Sequence, residues 1–396
     1  MNLISVAEAK KVIANYTEAF PPVNMVLQNA AGMTLASAVY SKMDIPVFNQ
    51  SSMDGYALNF SGWQHYKRLK IIGELSAGSR NPAPVLPQDT ARIFTGAAVP
   101  SGADTVVMQE KIRIENGELI VDDDKLESGA NVRLKGSEIR SGDLALAEQC
   151  MLTPAAIGFL TGIGITNVMV YPKPVVSIII TGNELQEPGR PLLPGQVYES
   201  NSHSLKAALN QIHLNNIQTY RAEDTLEMLT KIMQTALEQS DVVLLTGGMS
   251  VGAYDFVIQA AANNGVNKIF HKVRQKPGKP FYFGKKERQY IFGLPGNPAS
   301  VLTCFYEYVL PALEKMTKRS SGLQTAMVPL AKTIKKSPGL THFLKGYYDG
   351  HSALPLDAQE SFRLRSFAKA NCLIQINEEV EECKAGDMVE IHLLPQ

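Results

Sequence analysis

The sequence predicts a multidomain α/β and β protein: a central α/β domain with a mainly parallel sheet, a mostly β module inserted near the N-terminus, and an all-β domain at the C-terminus. Three observations carry this. A chain of 396 residues is too long for one ordinary domain. After Tyr171-Pro172-Lys173-Pro174, short apolar runs, the first of them rich in β-branched residues, alternate with segments of helical periodicity, which is the grammar of a parallel sheet covered by helices. On either side of that region, short β-like runs are separated by turn clusters.

Taken in order, Ser5 and Glu8 form a capping box ahead of a helix whose face carries Val6, Ala9, Val12 and Ile13. From Asp44 to Glu138 the text becomes β-like, with runs at Ala91–Phe94, Thr105–Met108 and Glu118–Val121 divided by Asn81-Pro82-Ala83-Pro84 and Pro100-Ser101-Gly102. Pro154–Leu160 reads as a helix start with Pro in its first turn. Val175–Ile180, Asp241–Leu245 and Gln289–Leu294 read as buried strands. Between them lie a helix through Leu205, Ala208, Leu209 and Ile212 and another from Thr225 to Glu238, and a further helix follows Pro298. From Ala326 the chain returns to β-like text and ends in the strand Met388–Leu393.

Composition narrows the function classes. Apolar content of 45% and charged content of 19% are those of a globular protein. The 38 basic and 38 acidic residues cancel, which gives no support to nucleic-acid binding. The four cysteines show no CxxC spacing, which argues against a structural zinc site or a disulfide framework and fits a reducing compartment. Met1–Val12 has no apolar core of a signal peptide, and no aliphatic run is long enough to span a bilayer, so a cytoplasmic protein without membrane partners is expected.

The chemistry is concentrated at the ends of the predicted strands, where ligands gather in open α/β sheets. Lys276-Pro277-Gly278-Lys279-Pro280 places two ammonium groups on a proline-stiffened turn, and Pro295-Gly296-Asn297-Pro298 opens a helix. Fixed cations beside a helix start suit a strongly charged oxyanion. Gly182 and Glu184 lie in Thr181-Gly182-Asn183-Glu184-Leu185, directly after a strand, and combine close backbone approach with a carboxylate. Gly247 and Gly248 open Thr246–Gly252, a run suited to a nest of N–H donors, and Asp255 beyond it could hold a divalent metal. Asp224 precedes a helix with Glu227 three residues on, which reads equally as a cap or a metal ligand. Each Gly-rich loop, taken alone, reads equally as a tight connection. So do the Asp54-Gly55 turn within Ser51–Ala57 and the segment Thr95-Gly96-Ala97.

The ordered set of Ser52–Ala57, Thr95–Ala97, Val107–Glu110, Thr181–Leu185, Thr246–Gly252, Lys276–Pro280 and Gly293–Pro298 resembles the MoeA family of molybdenum-cofactor enzymes, related to the E domain of gephyrin, over nearly the whole chain. The resemblance implies an elongated homodimer with four parts per subunit: a linking part at 1–43 with 139–172, the β module at 44–138, a molybdopterin-binding α/β domain at 173–320 and a C-terminal β-barrel at 321–396. It implies molybdopterin molybdotransferase activity, in which molybdate and adenylylated molybdopterin are the substrates and AMP is released. On that likeness Lys276, Lys279, Ser250, Pro298, Lys345, Ser361 and Ser366 contact molybdate, with Arg363 beside them. Gly182, Gly247, Gly248, Gly296 and Asn297 meet the pterin or nucleotide, and Glu184, Asp224 and Asp255 ligate Mg2+. Asp54 and Thr95 join Glu184, Asp224 and Asp255 as catalytic residues and reach across to the partner subunit. A molybdopterin adenylyltransferase and molybdoenzyme maturation proteins are the implied protein partners. The alternatives are a non-catalytic pterin carrier or scaffold, or an adenylyltransferase-like nucleotide enzyme. The chain departs from the family pattern at Asn183 and Ala253, where Asp and Glu are common, at Ser137-Glu138, where an acidic pair is common, and at Lys345, where Arg is common.

Overall fold

The computed structural model describes residues 3–79, 82–247, 253–319 and 323–395, with the side chains of 253–255 outside the description. The chain divides into two compact units, one of residues 25–31 and 37–168, the other of 1–24, 32–36 and 169–396.

The smaller unit is built on a six-stranded mixed sheet in the order Thr105–Met108, Gly55–Leu58, Asp89–Ile93, Arg68–Leu75, Glu118–Val121, Ile112–Glu115. Strand Gly55–Leu58 shows why it folds: Tyr56 and Leu58 enter one apolar cluster with Leu69, Val107 and Leu119, while Ala57 enters another with Ile93 and Val106. Both faces of this strand are therefore buried, as side chains alternate across the sheet. The helix Pro154–Gly162 starts as the sequence foretells, with Thr153 accepting from the Ala156 N–H and Pro154 in the first turn.

In the larger unit a second six-stranded sheet holds β1 (Val176–Thr181), β2 (Ile217–Ala222), β3 (Val242–Thr246), β4 (Asn267–His271), β5 (Tyr282–Lys286) and β6 (Gln289–Leu294), ordered β2-β1-β3-β6-β5-β4. The first four in that order are parallel, and β5 and β4 add an antiparallel edge. Val176, Ile178, Ile180, Val242, Leu244, Phe292 and Leu294 face one core together with helices Asn201–Gln211 and Pro298–Cys304. Ile179, Val243, Leu245 and Ile291 face a second core with helices Leu226–Gln239 and Ala253–Asn263. The largely apolar strands, interrupted in β1 by buried Ser177, are thus covered on both sides by two helix layers, with each Ile or Leu contributing about 1.5–3 kcal/mol.

Two local details correct the sequence reading. The sequence reading lacks β2, β4 and β5: β2 and β4 are the two edges of the sheet, where polar residues such as Lys268 are tolerated, and β5 carries Lys285, whose ammonium pairs with Glu18. The cap of helix Leu226–Gln239 is Thr225, whose hydroxyl accepts from the Met228 N–H, and Asp224 lies one residue outside it. Thr225→Ala is therefore expected to cost about 0.5–2 kcal/mol in urea unfolding, whereas Asp224→Ala stays within about 0.5 kcal/mol.

The C-terminal strands Thr325–Pro329, Met388–Leu393, Cys372–Ile376, Thr341–Tyr348 and Ala353–Pro355 pair in that order, and a bridge from Leu330 to Ala353 closes the ring. Val328, Leu330, Ala353, Cys372, Ile374, Ile376, Val389 and Ile391 fill it. Among the described residues no helix is long and apolar enough to cross a membrane.

Candidate functional site

Parallel β1, β3 and β6 bring their carboxyl ends, and the loops after them, to one edge of the sheet. A Cβ on Gly247 would lie 2.0 Å from the Thr181 carbonyl oxygen, so the loop after β3 rests directly on the end of β1. Gly247 also has φ +87°, in the left-handed region. A Cβ on Gly296 would lie 3.9 Å from the Gly247 Cα, which brings the third loop alongside. Asn201, at the start of its helix, donates from Nδ2 to the Gly296 carbonyl at 2.8 Å. Glu184 folds back over Gly182, its carboxylate oxygens 2.9 and 3.0 Å from where a Cβ would stand. Arg221, from β2, donates to the Leu185 carbonyl and ties that loop down. Asp224 follows the end of β2, the strand beside β1. Glu184 and Asp224 thus follow adjacent strands at the same edge. Gly248 and Ser250 lie outside the described residues, as does the side chain of Asp255.

The lysine turn lies against the helix that begins at Pro298. Gly278, at φ +89°, packs so closely on it that a Cβ would stand 2.6 Å from Cys304 Sγ. Buried Gln275 donates from Nε2 to the Pro277 carbonyl at 3.0 Å and the Gly278 carbonyl at 3.3 Å. The Val273 N–H donates to the Lys279 carbonyl at 3.0 Å. With the backbone fixed, Lys276 and Lys279 are exposed, and neither ammonium has a hydrogen bond or ion pair among the described residues.

Asn297 caps the helix without a side-chain bond to its backbone and instead donates from Nδ2 to Ser361 Oγ at 2.8 Å. The Ala299 N–H donates to the Ser361 carbonyl at 3.1 Å. Fewer free N–H donors are left at this helix start than its sequence suggests, since Pro298 has none and Ala299 is engaged.

Lys345 differs from its expected role. It is buried, and its ammonium donates to the carbonyls of Ala358, Glu360 and Arg363 at 2.7, 3.2 and 3.0 Å. All three protons of the group are committed, so it serves as a strut for loop 357–366 and has none to offer an oxyanion. Burial lowers its pKa from the ordinary lysine value. Ser366 likewise spends its hydroxyl on the Ala358 and Arg363 carbonyls, at 2.8 and 3.2 Å. Arg363 pairs with Glu360 at 3.1 Å.

His342 pairs in register with Lys276, and burial, reinforced by Lys336 and Lys276, pushes its imidazole down to about 4. Between that value and the ordinary value of about 6.5, the unfolded chain binds a proton that the folded chain refuses. Its contribution to stability is therefore present near neutrality and is lost as pH falls through that window. In urea unfolding, His342→Gln is expected to reduce the loss of stability between pH 7 and pH 5 relative to wild type.

In the smaller unit, Asp54 and Thr95 meet. The Thr95 N–H and hydroxyl donate to Asp54 Oδ1 at 2.8 and 2.7 Å and hold its carboxyl below the usual range. The other oxygen, Oδ2, has no partner among the described residues. Asp54 is thus kept ionised with one oxygen available.

Sequence reasoning missed Gln275, Asn201 and Arg221, which position the loops. An uncharged amide or a helix-start Asn carries no sequence signal of burial, and none of the three sits in a recognisable motif.

The chain matches the MoeA N-terminal region (domain I and II) over residues 4–164, a probable molybdopterin binding domain over 177–315 and the MoeA C-terminal region (domain IV) over 327–394. It is 33% identical to a molybdopterin molybdenumtransferase of Haemophilus influenzae, over 93% of this chain and 94% of that protein. It is 34% identical to one of Nostoc, over 87% and 82%. A crystal structure of the molybdopterin biosynthesis moeA protein from Pyrococcus horikoshii superposes with a TM-score of 0.81 at 28% identity, covering 100% of both chains.

Proposed function

The chain belongs to the MoeA family of molybdopterin molybdenumtransferases, and we propose that it transfers molybdate-derived molybdenum to adenylylated molybdopterin with release of AMP. The observation that carries this reading is the pair of unengaged ammonium groups, Lys276 and Lys279, on a turn packed against the helix Pro298–Cys304. Two fixed cations suit a tetrahedral dianion whose oxygens accept charge-assisted hydrogen bonds.

In this assignment Lys276 and Lys279 hold molybdate, and Asn297 and Ser361 line the same helix start. Ser250 remains assigned to molybdate on the family pattern, and Gly248 to the nucleotide. Gly182, Gly247 and Gly296 let the pterin and nucleotide approach the sheet edge. Lys345 and Ser366 act indirectly, by shaping the loop that carries Ser361. Asp54, ionised and oriented by Thr95, is assigned to the partner subunit's substrate, where its free oxygen would accept a hydrogen bond from a donor at the phosphoanhydride, such as the water that releases AMP.

Among the described residues no group of three metal-ligating side chains is gathered. Mg2+ nonetheless commonly takes one or two carboxylates together with substrate phosphates and water, and Glu184 with Asp224 meets that need, with Asp255 as the further assigned ligand. When bound there, Mg2+ would neutralise phosphate charge. Asn183 and Ala253 leave fewer carboxylates nearby than the family commonly has. The protein is assigned as a cytoplasmic homodimer that meets a molybdopterin adenylyltransferase upstream and molybdoenzyme maturation proteins downstream.

The test is reconstitution. Purified protein, adenylylated molybdopterin, molybdate and Mg2+ should yield a cofactor that activates a molybdenum-free apoenzyme. Tight pterin binding without cofactor formation would make the protein a carrier and would overturn the reading.

A further inference from the structure

We propose that Gln275, fastened from behind by Tyr308, is the positioning residue that fixes the backbone carrying Lys276 and Lys279, narrows the ammonium separations the turn can offer and thereby tunes it to the size of its oxyanion. The inference rests on the reading of that turn as an oxyanion site.

The hydrogen bonds around Gln275 assign its orientation. Two carbonyls, of Pro277 and Gly278, converge on one end of its amide, so that end is the NH2 group. The same nitrogen lies 3.5 Å from Cys304 Sγ. The opposite end, Oε1, must then be met by a donor, and the Tyr308 hydroxyl supplies it. Tyr308 is almost fully buried, and burial pushes its phenol far above the ordinary value, so it remains a donor at any working pH. Its ring stacks on Phe281 at 4.6 Å between centroids, one residue beyond the turn. Gly278 closes on Cys304 from the other side.

The turn is therefore clamped at its apex carbonyls, at its following residue and at its glycine, while its two lysines project unengaged. Lysines on a loose turn act as independent point charges and accept any dianion. Fixed Cα positions narrow the range of separations that two ammonium groups on flexible four-carbon stems can reach, and so favour dianions of matching size. Gln275 and Tyr308 touch no reacting atom and act only through the turn.

The experiment compares Tyr308→Phe, Gln275→Met and Lys279→Ala by molybdate titration of the single-turnover reaction and by competition with sulfate, a smaller tetrahedral dianion. Tyr308→Phe removes one oxygen and keeps the ring. It should raise the half-saturating molybdate concentration about 3- to 10-fold, with the saturated rate within about two-fold, and let sulfate compete more effectively relative to molybdate. Gln275→Met should show the larger shift of the same kind. A raised requirement in Lys279→Ala, with Tyr308→Phe and Gln275→Met both unchanged, would overturn the positioning role and leave the oxyanion site standing. No change in Lys279→Ala would remove the oxyanion site itself. A lowered saturated rate with unaltered molybdate and sulfate dependence would reduce the pair to fold support and also overturn the proposal. If Gln275→Met does not fold, Tyr308→Phe decides alone.

Discussion

Gly247→Ala is expected to lose about 2–5 kcal/mol of stability and to abolish pterin binding. Two penalties add at this position. The backbone stands at φ +87°, which costs an L-residue about 1–2 kcal/mol. The added methyl would also meet the Thr181 carbonyl oxygen at 2.0 Å, and a strand carbonyl has little room to move, so a further ~1–3 kcal/mol of overpacking follows. The loop can avoid both only by lifting off β1, which separates the ends of β1 and β3 where the candidate site lies. Gly296→Ala is the control: its methyl would meet Gly247 Cα at an ordinary 3.9 Å, and its φ is not positive. Urea unfolding measured on both variants should show a large loss of stability at 247 and a small one at 296, and pterin binding is read on the 247 variant. Equal effects would mean that the close approach is not what holds the edge together.

Lys279→Ala is expected to raise the molybdate requirement by roughly 10- to 150-fold, because a hydrogen bond to a charged group is worth about 1.5–3 kcal/mol and each 1.4 kcal/mol is tenfold. Stability should change by no more than about 0.5 kcal/mol, since the side chain is exposed and has no partner among the described residues. That combination, a lost ligand and an intact fold, separates an oxyanion contact from a structural lysine. Lys345→Ala should do the reverse. It leaves the carbonyls of Ala358, Glu360 and Arg363 without their donor, so it should destabilise the loop before it alters molybdate affinity directly.

The contrast between these two lysines shows what the sequence could and could not disclose. Val176–Thr181, Val242–Thr246 and Gln289–Leu294 announce themselves because strands buried on both faces are apolar at most positions, with polar residues mainly at their ends and Ser177 the exception. Their carboxyl ends then place the glycine loops without further information. Lys345 and Lys279 look alike in the text, and only the fold shows that one is surrounded by three carbonyls and the other projects into solvent. β4 is hidden because an edge strand tolerates the charge of Lys268, and β5 because Lys285 and Lys286 break its apolar run, the first of them paired with Glu18. The capping reading of Asp224 failed by one residue, because Asp and Thr are both competent caps and local text does not choose between neighbours. Gln275 was invisible for a related reason: its importance lies in two carbonyls and a phenol brought to it by tertiary packing.

The most direct test of the central claim is a single-turnover reaction of the protein with adenylylated molybdopterin and Mg2+, following AMP and pterin-bound molybdenum together, with and without molybdate. The transferase account predicts AMP release that depends on molybdate and equals the molybdenum transferred. AMP released at the same rate without molybdate, or molybdenum bound with no AMP released, would contradict it.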